Sequence, residues 1–137
     1  MEQNLPFLIK FPKIGNDTIG YISYSEKELL PFIPKRIYWT YKTSEQFERG
    51  NHSHYELEQI LVALTGKIVL NIITLTGEEF EYILDTPDVG VFIPKQCWRK
   101  IKYFDDAVQM CIASLEYSES DYIRDYKEFE KLINKKD

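Results

Sequence analysis

Histidine and cysteine are scarce in this chain, and each occurs only twice. Two histidines cannot by themselves build a three-histidine metal centre, and the cysteines Cys97 and Cys111 lie too far apart for a paired-cysteine zinc motif. Both cysteines sit in apolar surroundings and read as reduced core residues of an intracellular protein. Positive charge is also in deficit: 17 Lys and Arg against 22 Asp and Glu give a net charge of −5. That excludes a broad basic surface for nucleic acid and leaves room only for a few local cations facing an anionic ligand. No basic-then-apolar leader opens the chain and no apolar run is long enough to span a bilayer. The expectation is a cytoplasmic protein with no membrane partner. Repeats, low-complexity segments and Gly/Ser linkers are absent. With 137 residues and 44% hydrophobic content, the chain is read as one domain over 1–137 with a core of its own.

What the chain has in excess is aromatic side chains: ten Tyr and eight Phe. They suit strands, and they also suit a cavity that receives a planar ligand. Short apolar segments are separated by Gly, Pro and Asn turns along most of the length, as in a sandwich or barrel. Residues 36–41, Arg-Ile-Tyr-Trp-Thr-Tyr, alternate so that Tyr38 and Thr40 share one face and Ile37, Trp39 and Tyr41 the other. Further strands are expected at 57–64, 67–75, 80–84, 91–93, 98–103 and 107–115, with short ones near 4–14 and 20–24. Ser25 to Glu28 reads as one capped helical turn, stopped by Pro31 and Pro34. From Ser118 the period changes. Ser120 or Asp121 is placed to cap a helix over about 119–134, with Tyr122, Ile123, Tyr126, Phe129, Leu132 and Ile133 on its apolar face. The fold class is all-β, a β-barrel over about 5–116 followed by one C-terminal helix.

Both histidines fall in Arg49-Gly-Asn-His-Ser-His54. On a strand His52 and His54 share a face, so the segment is either a metal site or a proton-transfer site. Its spacing follows the cupin pattern, in which His-x-His is followed by a Glu, then a Gly, and a later Pro-x-Gly precedes another His. Here Gln59 stands at the Glu position, Gly66 at the Gly position and Arg99 at the last His position. Gln59 brings no charge and Arg99 a permanent cation, so the ligand set of a first-row metal is incomplete. Glu56 and Glu58 lie nearby and share the parity of the histidines on a continued strand, which makes Glu58 a candidate substitute ligand. Without a metal, a neutral imidazole in a partly dry barrel acts as a general base, and nearby arginines stabilise an oxyanion or hold a phosphate. The plainer alternatives are a hydrogen-bonded core histidine, a solvated Arg49, a Tyr38 that only packs, and an Arg99 in a surface run with Lys100 and Lys102. Alternation places Arg99 with Ile101 and away from Trp98, Lys100 and Lys102, which turns it inward.

Several segments together are more specific. Arg36-Ile-Tyr-Trp, Arg49-Gly-Asn-His-Ser-His, Leu57-Glu-Gln-Ile-Leu-Val-Ala-Leu-Thr-Gly66, Val89-Gly-Val-Phe-Ile-Pro and Ser118-Glu-Ser-Asp-Tyr-Ile-Arg-Asp-Tyr126 closely resemble the sugar 3,4-ketoisomerases that act on dTDP-4-keto-6-deoxy-D-glucose. The resemblance implies a jelly-roll cupin barrel like that of the nucleotide-sugar epimerases, with neither metal nor cofactor. It implies a strand-swapped homodimer, and a dTDP-3-keto-6-deoxyhexose product on the way to 3-amino sugars of surface glycans. It also implies His54 as the base and His52 as its assistant. Arg49 would meet the pyrophosphate, and Tyr38, Arg99, Gln59 and Asn51 would surround the substrate. Three departures touch the product rather than the reaction: Arg99 after Trp98, the Pro94-Lys-Gln-Cys97 loop, and Ile19 in Thr18-Ile19-Gly20. With Arg99 near the sugar, the gluco configuration at C4 is the expected outcome.

Overall fold

The computed structural model describes residues 5–136, and its architecture is two packed antiparallel sheets that share two long strands. The strands are β1 (Phe7–Lys10), β2 (Lys13–Asn16), β3 (Gly20–Ser23), β4 (Arg36–Thr40), β5 (Arg49–His54), β6 (Gln59–Ile73), β7 (Glu79–Leu84), β8 (Val89–Ile93), β9 (Trp98–Ala113) and β10 (Tyr122–Ile123); one helix, α1, runs Tyr126–Lys136. The long strands β6 and β9 pair along almost their whole length, from Gln59 opposite Ala113 to Ile73 opposite Trp98. Each changes its other neighbour halfway. The first part of β6 pairs with β8 and the second with β7, while β9 pairs with β5 near its start and with β4 near its end. The result is the jelly-roll barrel of the cupins.

The 57–64 and 67–75 segments, and likewise 98–103 and 107–115, are therefore single strands bent at a corner. The corner has a physical cause. The β6–β9 register shifts between Ala63 and Lys67, and Asp105 and Asp106 both take positive φ. A bulge of this kind bends the strand and reverses which parity faces inward. Leu61 and Ala63 face the core before the corner; Ile68, Leu70 and Ile72 face it afterwards. Between the sheets these side chains pack with Ile93, Tyr103 and Cys111. Burial of each such residue stabilises the fold by roughly 1.5–3 kcal/mol. Cys97 and Cys111 are both buried and free, as expected from their surroundings. A second cluster (Ile9, Phe11, Ile60, Val62, Phe92, Ile112) lies on the outer face of the β8–β6–β9 sheet beneath Leu29, Leu30 and Phe32.

The C-terminal segment departs from the sequence expectation. Only Glu119–Asp121 forms a single 3-10 turn, and Tyr122–Ile123 is a strand paired with His54 and Ser53. The helix starts at Tyr126 rather than near 119. Backbone pairing along the open edge of β5 outcompetes helical periodicity here, and the cap is Asp125, whose Oδ1 accepts from Lys127 N at 3.0 Å. Phe129 then packs with Trp98 and Ile123. Ser25 to Glu28 makes one turn and no helix, with Lys27 at φ +57°. No helix among the described residues is long and apolar enough to cross a membrane.

Gly66 holds the corner at φ +72°, and a Cβ there would meet Ala107 Cα at 2.6 Å and two backbone oxygens at 2.7 Å. Gly66→Ala is expected to cost about 2–4 kcal/mol. Urea denaturation checks this; an unchanged midpoint would mean that the corner yields.

Candidate active site

Strand β5 carries the site, and its own irregularity organises it. Arg49 is opposite Ile101 and Gly50 opposite Lys100, yet His52 is opposite Arg99, which leaves Asn51 as an extra residue. Asn51 takes φ +56° and Gly50 φ +86°. A regular strand would put residues three apart on opposite faces. The bulge lets Arg49 and His52 line the same cavity. Gly50 is required there, since a Cβ would stand 2.8 Å from Arg99 O. The extra residue itself turns outward: Asn51 is exposed and off the cavity wall, its Nδ2 reaching only Glu48 O at 3.5 Å. The sequence expectation places Asn51 with the substrate; within this chain it does not line the cavity.

The cavity, about 200 Å³, is lined by Arg36, Arg49, Arg99, His52, Tyr38, Gln59 and Tyr122, together with Thr40, Tyr103 and Gln109. Among the described residues no carboxylate lines it. Arg99 is 2% exposed. It donates through Nη1 to Gln59 Oε1 and through Nη2 to Cys97 O at 3.1 Å, while its Nε is buried without a partner. A guanidinium buried among neutral acceptors is a poor arrangement for stability and a good one for receiving an anion. Tyr38 Oη accepts from Gln59 Nε2 at 2.9 Å, and the Arg36 guanidinium lies 4.8 Å from the Tyr38 ring. Burial raises the Tyr38 phenol, so it stays protonated.

The two histidines have different places. His52 is half-buried on the cavity wall, and its Nδ1 lies 3.0 Å from Gly50 O. A carbonyl only accepts, so Nδ1 carries the proton and Nε2 keeps the lone pair. Burial, then the Arg99 charge, lower its pKa to about 3. His54 lies behind it, 2% exposed and off the wall, with ring centroids 4.8 Å apart and edge to face. His54 Nδ1 bonds Asp121 Oδ2 at 3.2 Å, and its Nε2 is buried without a partner. Burial and then Arg99 hold His54 below its ordinary value as well. The Asp121 carboxylate pulls the other way, but it is also occupied by the backbone N–H groups of Glu56 and Leu57. The histidine that lines the cavity in this chain is thus His52, with His54 buried behind it.

Strand β5 ends at His54, and residues 55–58 form a turn, so parity does not carry to Glu56 and Glu58. Among the described residues no group of three His, Cys, Asp or Glu side chains is placed to hold a metal. Sequence reasoning did find the inward Arg99. It passed over Arg36, although stepping back two residues from Tyr38 along the same face reaches it. Tyr122 and Asp121 were assigned to a helix, and the local sequence carries no signal of their pairing with β5.

The matching family model covers residues 4–134 and is described as FdtA: WxcM-like, C-terminal. The chain is 37% identical over 134 residues to the TDP-4-oxo-6-deoxy-alpha-D-glucose-3,4-oxoisomerase of Aneurinibacillus thermoaerophilus, covering 93% of this chain and 92% of that protein. It superposes with a TM-score of 0.88 on QdtA, a sugar 3,4-ketoisomerase from Thermoanaerobacterium thermosaccharolyticum crystallised with TDP, at 35% identity and with 96% of each chain covered. A histidine-to-asparagine mutant of that enzyme, in complex with TDP-4-keto-6-deoxyglucose, matches with a TM-score of 0.89 at 33% identity over 98% of this chain and 97% of that one. The dTDP-4-dehydrorhamnose 3,5-epimerase of Bacillus anthracis, 16% identical with a TM-score of 0.75 over 85% of this chain and 76% of that one, shares the fold.

The histidines bind protons in the unfolded chain below about pH 6.5, where the folded state still holds them neutral. Stability is therefore present above that pH and is lost as pH falls towards 3, by up to about 1.4 kcal/mol per pH unit for each histidine. Glu119 and Asp88, lowered to about 2 by Arg124 and Lys10 respectively, add their own loss only below pH 4 to 5. Urea midpoints between pH 6.5 and 4.5 are expected to decline in the native protein and to decline less in His52→Asn; equal slopes would refute the assignment.

Proposed function

Since this chain belongs to the FdtA (WxcM-like, C-terminal) family, we propose that it is a sugar 3,4-ketoisomerase that converts dTDP-4-keto-6-deoxy-D-glucose to its 3-keto isomer. The observation that carries the reading is one cavity in which an uncharged imidazole with a free Nε2 faces the same space as three guanidinium groups and no carboxylate. A volume near 200 Å³ suits a hexose ring. It is below the roughly 300–1,000 Å³ of pockets that enclose drug-sized ligands whole, so the nucleotide lies outside the barrel, with its pyrophosphate against the arginines. Of these Arg49 is the exposed one and the natural rim contact.

His52 Nε2 removes the C3 proton, which the adjacent C4 ketone makes acidic. The electron pair forms a C3–C4 double bond and the negative charge falls on O4, where an arginine stabilises it. Tyr38 hands a proton to O4 and recovers the one leaving O3. The imidazolium returns its proton at C4, and the carbonyl then stands at C3. No electron enters or leaves, so no redox cofactor is called for, and the arginines supply the oxyanion stabilisation that a Lewis acid would otherwise give. His54, tied to Asp121, backs His52 and holds it in place. The buried Arg99 beside the sugar favours delivery of the proton that gives the gluco product.

We read the chain as one barrel that works as a strand-exchanged homodimer in the cytoplasm. The β2–β3 hairpin supports this, with Ile14, Ile19, Tyr21 and Ile22 all more than half exposed. A lone two-stranded hairpin is marginal in water, and a second copy would cover it. The two free thiols suit a reducing compartment.

Proton NMR of dTDP-4-keto-6-deoxyglucose with the protein in D₂O is expected to show the carbonyl migrating to C3 with deuterium entering the ring. His52→Asn is expected to lose at least about 10³-fold in kcat while still binding TDP. An unchanged sugar spectrum with intact binding would make the protein a nucleotide-sugar-binding cupin. Full activity in His52→Asn with loss in His54→Asn would return the base to His54.

A further inference from the structure

Gln59 stands between the two cavity groups whose hydrogen-bond roles the reaction depends on. It is 3% exposed. Its Oε1 accepts from Arg99 Nη1, and its Nε2 donates to Tyr38 Oη at 2.9 Å and to Cys111 Sγ at 3.2 Å. A guanidinium has only N–H donors and keeps its proton in proteins. The atom facing Arg99 must therefore be the amide oxygen, which forces the amide nitrogen towards Tyr38. That nitrogen can only donate. Tyr38 Oη must accept from it, and its own proton is left for another acceptor. The Cys111 sulfur is in hydrogen-bond contact with both Tyr38 and the second amide proton, but it is a weak acceptor that a sugar oxygen outcompetes. The cavity side remains, where the sugar oxygens would lie.

We propose that Gln59 is a positioning residue that sets hydrogen-bond polarity: pinned by Arg99, it fixes Tyr38 as a donor towards the oxygens of the bound sugar. The inference rests on the ketoisomerase reading. In that reaction O4 gains a proton while O3 loses one, so the phenol has to arrive with its proton facing the substrate. A carboxylate at residue 59 would do the opposite. It would accept from Arg99 and Tyr38 together, turn the phenolic proton away from the sugar and cancel the Arg99 charge. The presence of an amide where metal-binding cupins place a carboxylate thus has a positive role beyond the loss of a ligand.

The test compares Gln59→Glu, Gln59→Leu, Tyr38→Phe and the double variant Gln59→Glu/Tyr38→Phe, after carbonyl migration by the wild type has been recorded. Gln59→Glu is expected to lose about 10²–10³-fold in kcat, with TDP affinity falling less. Gln59→Leu, which leaves the phenol free to turn, is expected to stay within about tenfold of wild type. A residue that merely fills space predicts the reverse order, since Glu is the isostere. The part of the Gln59→Glu loss that acts through Tyr38 should vanish in the Tyr38→Phe background and leave only the part from neutralising Arg99, so the double variant should lose clearly less than the two singles combined; fully additive losses overturn the proposal, as does an active Tyr38→Phe. If Gln59→Leu fails to fold by thermal melting, Gln59→Met takes its place. The tyrosine Fermi doublet in the Raman difference spectrum against Tyr38→Phe reads the polarity without turnover. It should report a phenol that both accepts and donates in wild type and one that only donates in Gln59→Glu, and a phenol that only donates in both would sink the idea. A wild type that moves no carbonyl would count against the ketoisomerase reading, and the doublet would still decide the polarity.

Discussion

A guanidinium sealed inside the barrel, with neutral acceptors in place of a counter-ion, is the constraint that the cavity depends on. Arg99 satisfies two of its three nitrogens with Gln59 and the Cys97 carbonyl. Its charge remains uncancelled along a wall without carboxylates. That charge disfavours a second positive charge nearby, so both histidines are kept neutral, with burial as the larger cause. It also dictates the orientation of the Gln59 amide and, through it, that of Tyr38. The cation thus adds to burial in keeping the imidazoles unprotonated and leaves an attraction for negative charge. The arrangement costs stability, since an unpaired buried ion is expensive. That cost falls away when an anion, or a charge developing on a sugar oxygen, arrives.

Secondary interactions hold this arrangement rigid. The site lies on strands and not on a loop: Arg99 and Ile101 on β9, His52 on β5, Tyr38 on β4 and Gln59 on β6. Each sits in a ladder with a neighbouring strand: His52 lies opposite Arg99, both on the wall, Tyr38 opposite Cys111 and Gln59 opposite Ala113. The helix closes the outside of β9 by packing Phe129 on Trp98, the residue next to Arg99. Fixed geometry of this kind is what preorganised electrostatic stabilisation needs.

Much of this was legible in the sequence, because strand parity is a local property. Alternation alone turned Arg99 inward and paired Tyr38 with Thr40, and the histidine spacing placed the cupin barrel. What escaped was non-local. The bulge at Asn51 changes which residues share a face, and neither Gly50-Asn51 nor its neighbours announces that. The segment at Tyr122–Ile123 has helical spacing but pairs with β5 across more than sixty residues of sequence. The two halves of β6 looked like separate strands because the bend at Gly66 breaks their pattern, while the pairing with β9 resumes beyond it in a shifted register.

The extra residue in β5 has one more consequence. Positions 49 and 52 reach the same chamber only because three steps along the chain are folded into the span of two. Deleting Asn51 would leave Arg49 two residues before the histidine on an even zigzag, still facing the same way. Ironing the kink flat with all four residues kept would instead swing the arginine out to water with every ring still in place. The arginine's place on the wall thus hangs on one left-handed step at Gly50 and Asn51, a dependence that the identities of residues 49 and 52 alone would never reveal.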